Sequence, residues 1–146
     1  MLNPALKERI ERAISADPLS AIGELRELLH QLSPQAEQPV DFVRWVPLEM
    51  VESNSYNPNS VAKVEMGLLL TSILHDGYTQ PVVTIWDAEQ SKYIIIDGFH
   101  RYFVMKSNKE VYDRCHGLLP IVVLDKSIND RMASTVRHNR ARGKHS

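Results

Sequence analysis

The sequence predicts an α+β protein: an N-terminal helical hairpin followed by a domain in which strands and helices share one core. Two patterns and one junction carry that prediction. Apolar residues recur at helical spacing from Leu6 to Leu29, whereas "PVVTIW" (Pro81 to Trp86), "KYIIID" (Lys92 to Asp97) and "LLPIVVLD" (Leu118 to Asp125) are short runs rich in β-branched residues. The junction is "YIIIDGFHRYFV" (Tyr93 to Val104), where a strand pattern runs into an acid, a glycine, an imidazole and a guanidinium before an apolar helical pattern resumes.

The elements follow in chain order. Asn3 before Pro4 is an N-cap with proline at the first helical position, and Leu6, Ile10, Ala13 and Ile14 give a helix that should stop near Ser15. Asp17 and Pro18 repeat the device, and Leu19, Ile22, Leu25, Leu28 and Leu29 make a second amphipathic helix ending before Ser33 and Pro34. "SPQAEQP" (Ser33 to Pro39) reads as a polar linker. The stripe of the hairpin is expected on the main body, with a homodimer contact as the alternative. Phe42 to Val46 reads as a short strand, and "ESNSYNPNS" as an exposed loop. Val61 to Leu74 is a helix with Val61, Val64, Leu68 and Ile73 on its apolar face, stopped by Gly77. The strands at Pro81 and Lys92, joined by "DAEQS", should pair antiparallel. His100 to Lys106 should be helical, and the apolar run from Leu118 suggests a strand buried on both faces. Ser127 and Asp130 resemble a capping box opening a last helix through about Arg142.

A length of 146 residues predicts one compact body, with residues 1–39 as hairpin and linker and 40–146 as the main domain. The formal net charge of -1 removes any global pull toward nucleic acid or membrane, so anion affinity must be local. One cysteine, Cys115, excludes an intramolecular disulfide framework and suits a cytoplasmic setting. No apolar run nears the roughly 18 residues of a membrane span. The segment from Asp130 to Ser146 is locally cationic, with Arg131, Arg137, Arg140, Arg142 and Lys144 against a single acid.

At the junction, Gly98 lacks the β-carbon that would hold a ligand off the backbone, and the helix start beyond it offers amide hydrogens and a positive dipole end. Arg101 adds donors matched to phosphate oxygens, and His100 a group that moves a proton near neutral pH. Asp97 is the odd member: it caps the helix, or acts as acid or base with a metal, a protonated partner or a substrate hydroxyl between it and the phosphate. His75, His116 and His145 have no metal-site spacing, and Trp45, Trp86 and Tyr93 read as core. Tyr56, in a polar loop, is the better stacking candidate.

Four segments resemble the ParB/sulfiredoxin superfamily. "DGFHR" (Asp97 to Arg101) is similar to its glycine turn, "VPLEMVESNSYNPN" (Val46 to Asn59) to its first box, "GYTQPVVTI" (Gly77 to Ile85) to its glycine-to-proline approach to a strand, and "RHNRARGKH" (Arg137 to His145) to its third box. The resemblance implies a ParB/sulfiredoxin-like small mixed β-sheet packed with helices, and a nucleotide pocket between the glycine turn and the third box. It assigns phosphate or nucleotide contacts to Gln80, Gly98, Phe99, His100, Arg101, His138, Asn139 and Arg142, and makes Asp97 and His100 the catalytic candidates. The ligand implied is a nucleoside di- or triphosphate (CTP, ATP or ADP) with Mg²⁺, and the activity NTPase or phosphotransferase. No side chain is assigned as a metal ligand.

Departures separate branches. Sulfiredoxins place a catalytic cysteine where this sequence has Phe99, which argues against their chemistry. Partition proteins that switch on CTP carry a G-E-R-R turn and a third-box glutamate, where this chain has Gly98 to Arg101 and His138. Free-serine kinases share D-G-x-H-R, but their first-box glutamate aligns with Ser55, and Glu52 is the nearest acid. With its hairpin, the chain looks most like the immunoglobulin-binding regulator B proteins. The alternative reading is a transcriptional or partition-type regulator whose Arg137, Arg140 and Lys144 meet DNA phosphates, or a ParB-like nuclease.

Overall fold

In the computed structural model, which describes residues 2–53 and 63–125, both N-terminal caps form. The Asn3 side chain accepts from the amides of Ala5 and Leu6 at 3.0 and 3.1 Å, opening α1 (Pro4–Ile14). Asp17 accepts from the Ser20 amide and opens α2 (Pro18–Leu32). Neither helix has a buried residue.

The stretch expected as a plain linker is latched to the end of α2. A 3-10 turn, Pro39–Asp41, brings Asp41 Oδ2 to 2.7 Å from His30 Nδ1, while Ser33 Oγ donates to Oδ1 at 3.2 Å. The imidazole stacks on Phe42 at 5.3 Å between ring centroids. The hydrogen bond with His30 holds the Asp41 carboxyl below its usual range against the opposing effect of burial, helped by the weaker bond from Ser33. Phe42 therefore belongs to this latch, and the strand expected from Phe42 runs instead from Arg44 to Pro47.

Residues Met1–Phe42 form one compact unit and Val43–Ser146 another. Among the described residues the buried core clusters draw only on the second.

In the second unit the strands are β1 (Arg44–Pro47), β2 (Val51–Glu52), β3 (Val82–Asp87), β4 (Lys92–Asp97) and β5 (Leu118–Leu124). They form one sheet in the order β1-β5-β3-β4-β2. It is mixed: β3 pairs antiparallel with β4 and β1 with β5, whereas β3 with β5 and β2 with β4 run parallel. Strand β5, between β1 and β3, is buried on both faces, as its unbroken apolar run predicts, with Leu119, Ile121 and Val122 all buried. The β3–β4 turn is held by Asp87, whose Oδ1 accepts from the Glu89 amide at 3.0 Å.

Among the described residues the unit also has three α-helices: α3 (Lys63–Asp76), α4 (Phe99–Ser107) and α5 (Lys109–Arg114). Ile73, Phe99, Tyr102 and Met105 join Val82, Leu119 and Ile121 in the larger core cluster; Ile85, Ile94 and Ile96 form a second. The short α5 has no long apolar period in the sequence and depends on its Asn108 cap, which accepts from the Val111 amide at 3.1 Å.

Two further expectations are corrected. On α3, Val64 and Leu68 are 77% and 68% exposed, and the packed side is Met66, Leu69, Leu70, Ile73 and Leu74. Apolar residues surround this helix, so spacing alone does not choose its inner face. Trp45 and Trp86 are exposed at 38% each. Trp45 follows the opposite pleat from buried Val46, and Trp86 forms a cross-strand pair with Tyr93, ring centroids 4.8 Å apart. No helix among the described residues is long and apolar enough to cross a membrane.

Candidate functional site

The strand-to-helix junction turns on one left-handed residue. Strand β4 ends at Asp97, Gly98 sits at φ 94°, ψ 26° as the N-cap of α4, and the first helical bond runs from the Tyr102 amide to the Gly98 carbonyl at 3.2 Å. A β-carbon at Gly98 would lie 2.6 Å from Arg101 Nη2 and 3.0 Å from its Cζ. The position that a β-carbon would take is therefore filled by the chain's own guanidinium. The absence of a β-carbon thus leaves room for the cation against the turn.

Two bonds from the preceding loop secure Arg101. Its Nη2 donates to the Pro81 carbonyl at 3.1 Å, and the Tyr78 hydroxyl donates to the Arg101 carbonyl at 2.8 Å. Burial, opposed in part by the nearby arginine charge, pushes the Tyr78 hydroxyl well above its ordinary pKa, so it remains a donor. The "GYTQP" segment thus grips one residue at both its backbone and its side chain.

Helix α3 packs against α4. Between them lies a cleft of ≈ 210 Å³ lined by Glu65, Met66, Leu69, Gly98, His100 and Arg101. Its chemistry is mixed: a guanidinium, an imidazole and a helix N-terminus on one wall, and a carboxylate and two apolar side chains on the other.

No protein-family model matches the chain. The uncharacterized protein YbdM of Escherichia coli (strain K12) is 45% identical over 129 residues, covering 88% of this chain and 61% of YbdM, so the chain spans less than two thirds of that relative. Among solved structures, the C-terminally truncated chromosome-partitioning protein ParB of Caulobacter crescentus, complexed with CTP-γ-S, superposes with a TM-score of 0.51 at 20% identity, over 66% of this chain and 52% of ParB. The fold is ParB/sulfiredoxin-like. Sulfiredoxin of Arabidopsis thaliana matches at a TM-score of 0.45 and 20% identity, over 66% of this chain and 93% of that one.

On this ParB/sulfiredoxin-like body the predicted residues divide. Gly98, His100 and Arg101 come together in the cleft. Asp97 stands at the end of β4, half-buried and outside the cleft lining; Gly98, not Asp97, occupies the N-cap. Phe99 turns its ring into the core, 5% exposed, stacked on Phe103, so only its backbone belongs to the turn. Gln80 is exposed in the gripping loop and does not line the cleft. Ser55, Tyr56 and Asn59 lie outside the described residues, as do Arg137, His138, Asn139, Arg140, Arg142 and Lys144. Glu52 is in β2 and not in the cleft lining.

Sequence reading missed Glu65, Met66, Leu69 and Tyr78. For Tyr78 a signal existed: an aromatic residue in an otherwise polar "GYTQP" turn is usually placed by a partner. Glu65 carried none, being one acid in an apolar helix that meets the turn only in three dimensions.

Proposed function

We propose that this domain binds a nucleoside di- or triphosphate in the cleft between α3 and the Asp97–Arg101 turn. The carrying observation is the Arg101 guanidinium, seated over Gly98, bound to the Pro81 carbonyl and lining a cleft beside a helix N-terminus. A preplaced, planar cation at the positive end of a helix loses little side-chain freedom when a phosphate arrives. That the like-folded ParB is solved with CTP-γ-S supports the choice of nucleotide as ligand. The resemblance of the overall sequence, with its N-terminal hairpin, to immunoglobulin-binding regulator B proteins belongs to the same reading.

The proposal includes phosphoryl transfer or hydrolysis as the reaction class. Arg101 stabilises charge on the transferring phosphate and His100, also in the cleft, moves the proton. Asp97, one residue before the glycine, is the remaining acid or base of the turn. Mg²⁺ would enter as the companion ion of the nucleotide phosphates.

The test is titration calorimetry with CTP, ATP and ADP, with and without Mg²⁺. At least one should bind, and Arg101→Ala should weaken it by tenfold or more. Absence of binding by all three, or affinity indifferent to Arg101→Ala, overturns the reading. For the chemical step, His100→Ala should lower phosphate release while leaving affinity within a few-fold.

A further inference from the structure

One residue lining the cleft does not suit a phosphate. Glu65, exposed on the first turn of α3, shares the cavity with His100 and Arg101. A carboxylate in so small a space repels a polyanion, and a site shaped for inorganic phosphate alone would be better without it. The repulsion becomes an attraction when the ligand presents hydroxyl groups beside its phosphate. An ionised carboxylate is acceptor-only and takes hydrogen bonds from two neighbouring hydroxyls at once, as acids do on ribose in dinucleotide-binding folds. Met66 and Leu69, one and four positions further along the same helix, add apolar wall next to that acceptor, a surface for the carbon face of a sugar. A cation at Glu65 is the weaker occupant, because the Arg101 guanidinium lines the same cavity.

We infer that Glu65 is the ribose-reading residue of the cleft and makes it select ribonucleotides over 2′-deoxyribonucleotides and over inorganic polyphosphate. This rests on the nucleotide-binding proposal and adds a residue and a specificity to it. Glu65 stands on the helix surface, so its replacement leaves the core intact, which a thermal melt of each variant checks.

The experiment measures affinities of the full chain for CTP and ATP, their 2′-deoxy counterparts and pyrophosphate, in wild type, Glu65→Ala, Glu65→Gln and Arg101→Ala. Wild type should favour the ribonucleotide by about tenfold, the worth of a charge-assisted hydrogen bond. Glu65→Ala should bring that ratio near one while pyrophosphate binds as well or better. Glu65→Gln, which keeps an acceptor oxygen and loses the charge, should retain part of the preference and also bind pyrophosphate better. Equal wild-type affinity for ribo and deoxy forms overturns the inference, as does an equal loss for every ligand in Glu65→Ala. If Arg101→Ala abolishes binding while the ribo-to-deoxy ratio ignores Glu65, the inference alone falls; if no ligand binds wild type, the nucleotide proposal falls with it.

Discussion

Two turns in this chain solve the same problem with different chemistry. At the C-terminal end of α2, Ser33 to Phe42 is folded back by an imidazole–carboxylate pair and a serine hydroxyl. At the N-terminal end of α4, the glycine turn is tied to "GYTQP" by a guanidinium and a phenol that both donate to backbone carbonyls. The first is a pair of titratable side chains. The second joins donors that stay protonated across the neutral range to acceptors that do not titrate. A latch of the first kind responds to conditions, whereas a lock of the second holds a side chain in one place, which suits a group that must meet a ligand.

The contrast is broken most strongly at the glycine. Gly98→Ala places a β-carbon at φ 94° and 2.6 Å from Arg101 Nη2, so it adds backbone strain and displaces the guanidinium together. The expected loss is about 2 kcal/mol of stability, with loss of nucleotide binding. Both tryptophans, Trp45 and Trp86, lie in the second unit, so their fluorescence during urea unfolding reports on this body. Tyr78→Phe should cost about 1–2 kcal/mol in the same assay, since it deletes a half-buried donor and leaves its carbonyl partner. Nucleotide affinity should fall with it, because the gripped residue is Arg101.

Opposite ends of the pH scale should separate the turns. Asp41 is depressed in the folded chain, so its contribution is full above the ordinary carboxylate pKa and is lost as pH falls through the lower folded value. The latch should therefore loosen in acid, below about pH 4, followed by the His30 ring signals in NMR. Asp41→Asn should remove that acid transition. Tyr78 is raised, so its contribution is full below the ordinary phenol value of about 10 and is lost only as pH climbs toward the higher folded value. A Tyr78 phenolate signal in ultraviolet titration near pH 10 would contradict the lock. The smallest effect is expected from Ser33→Ala, which removes only the weaker bond to Asp41 and should shift the acid midpoint slightly upward.

Much of this was legible in one dimension. The caps at Asn3 and Asp17, the apolar period of the hairpin and the unbroken run of β5 are local patterns with local causes, and the element types follow from them. "DGFHR" placed a glycine without a β-carbon and a cation close together at a strand-to-helix junction. The inner face of α3 was not legible, because a helix apolar on every side has no preferred face until something packs on it. Trp45 and Trp86 misled for a related reason: β-propensity places a residue in a strand without saying which pleat meets the core.

By itself, then, the sequence determined most element types and put a glycine, an imidazole and a guanidinium in the turn that closes β4. Only the tertiary structure decided what meets that turn. Tyr78 and Pro81 reach Arg101 across 23 and 20 positions, and Glu65 reaches the same cleft from the start of another helix. Backbone preference acts over a few residues, whereas those meetings depend on strand order in the sheet and on α3 lying against α4. The guanidinium over Gly98 shows both at once: the glycine is written in the chain, and its use is set by the fold.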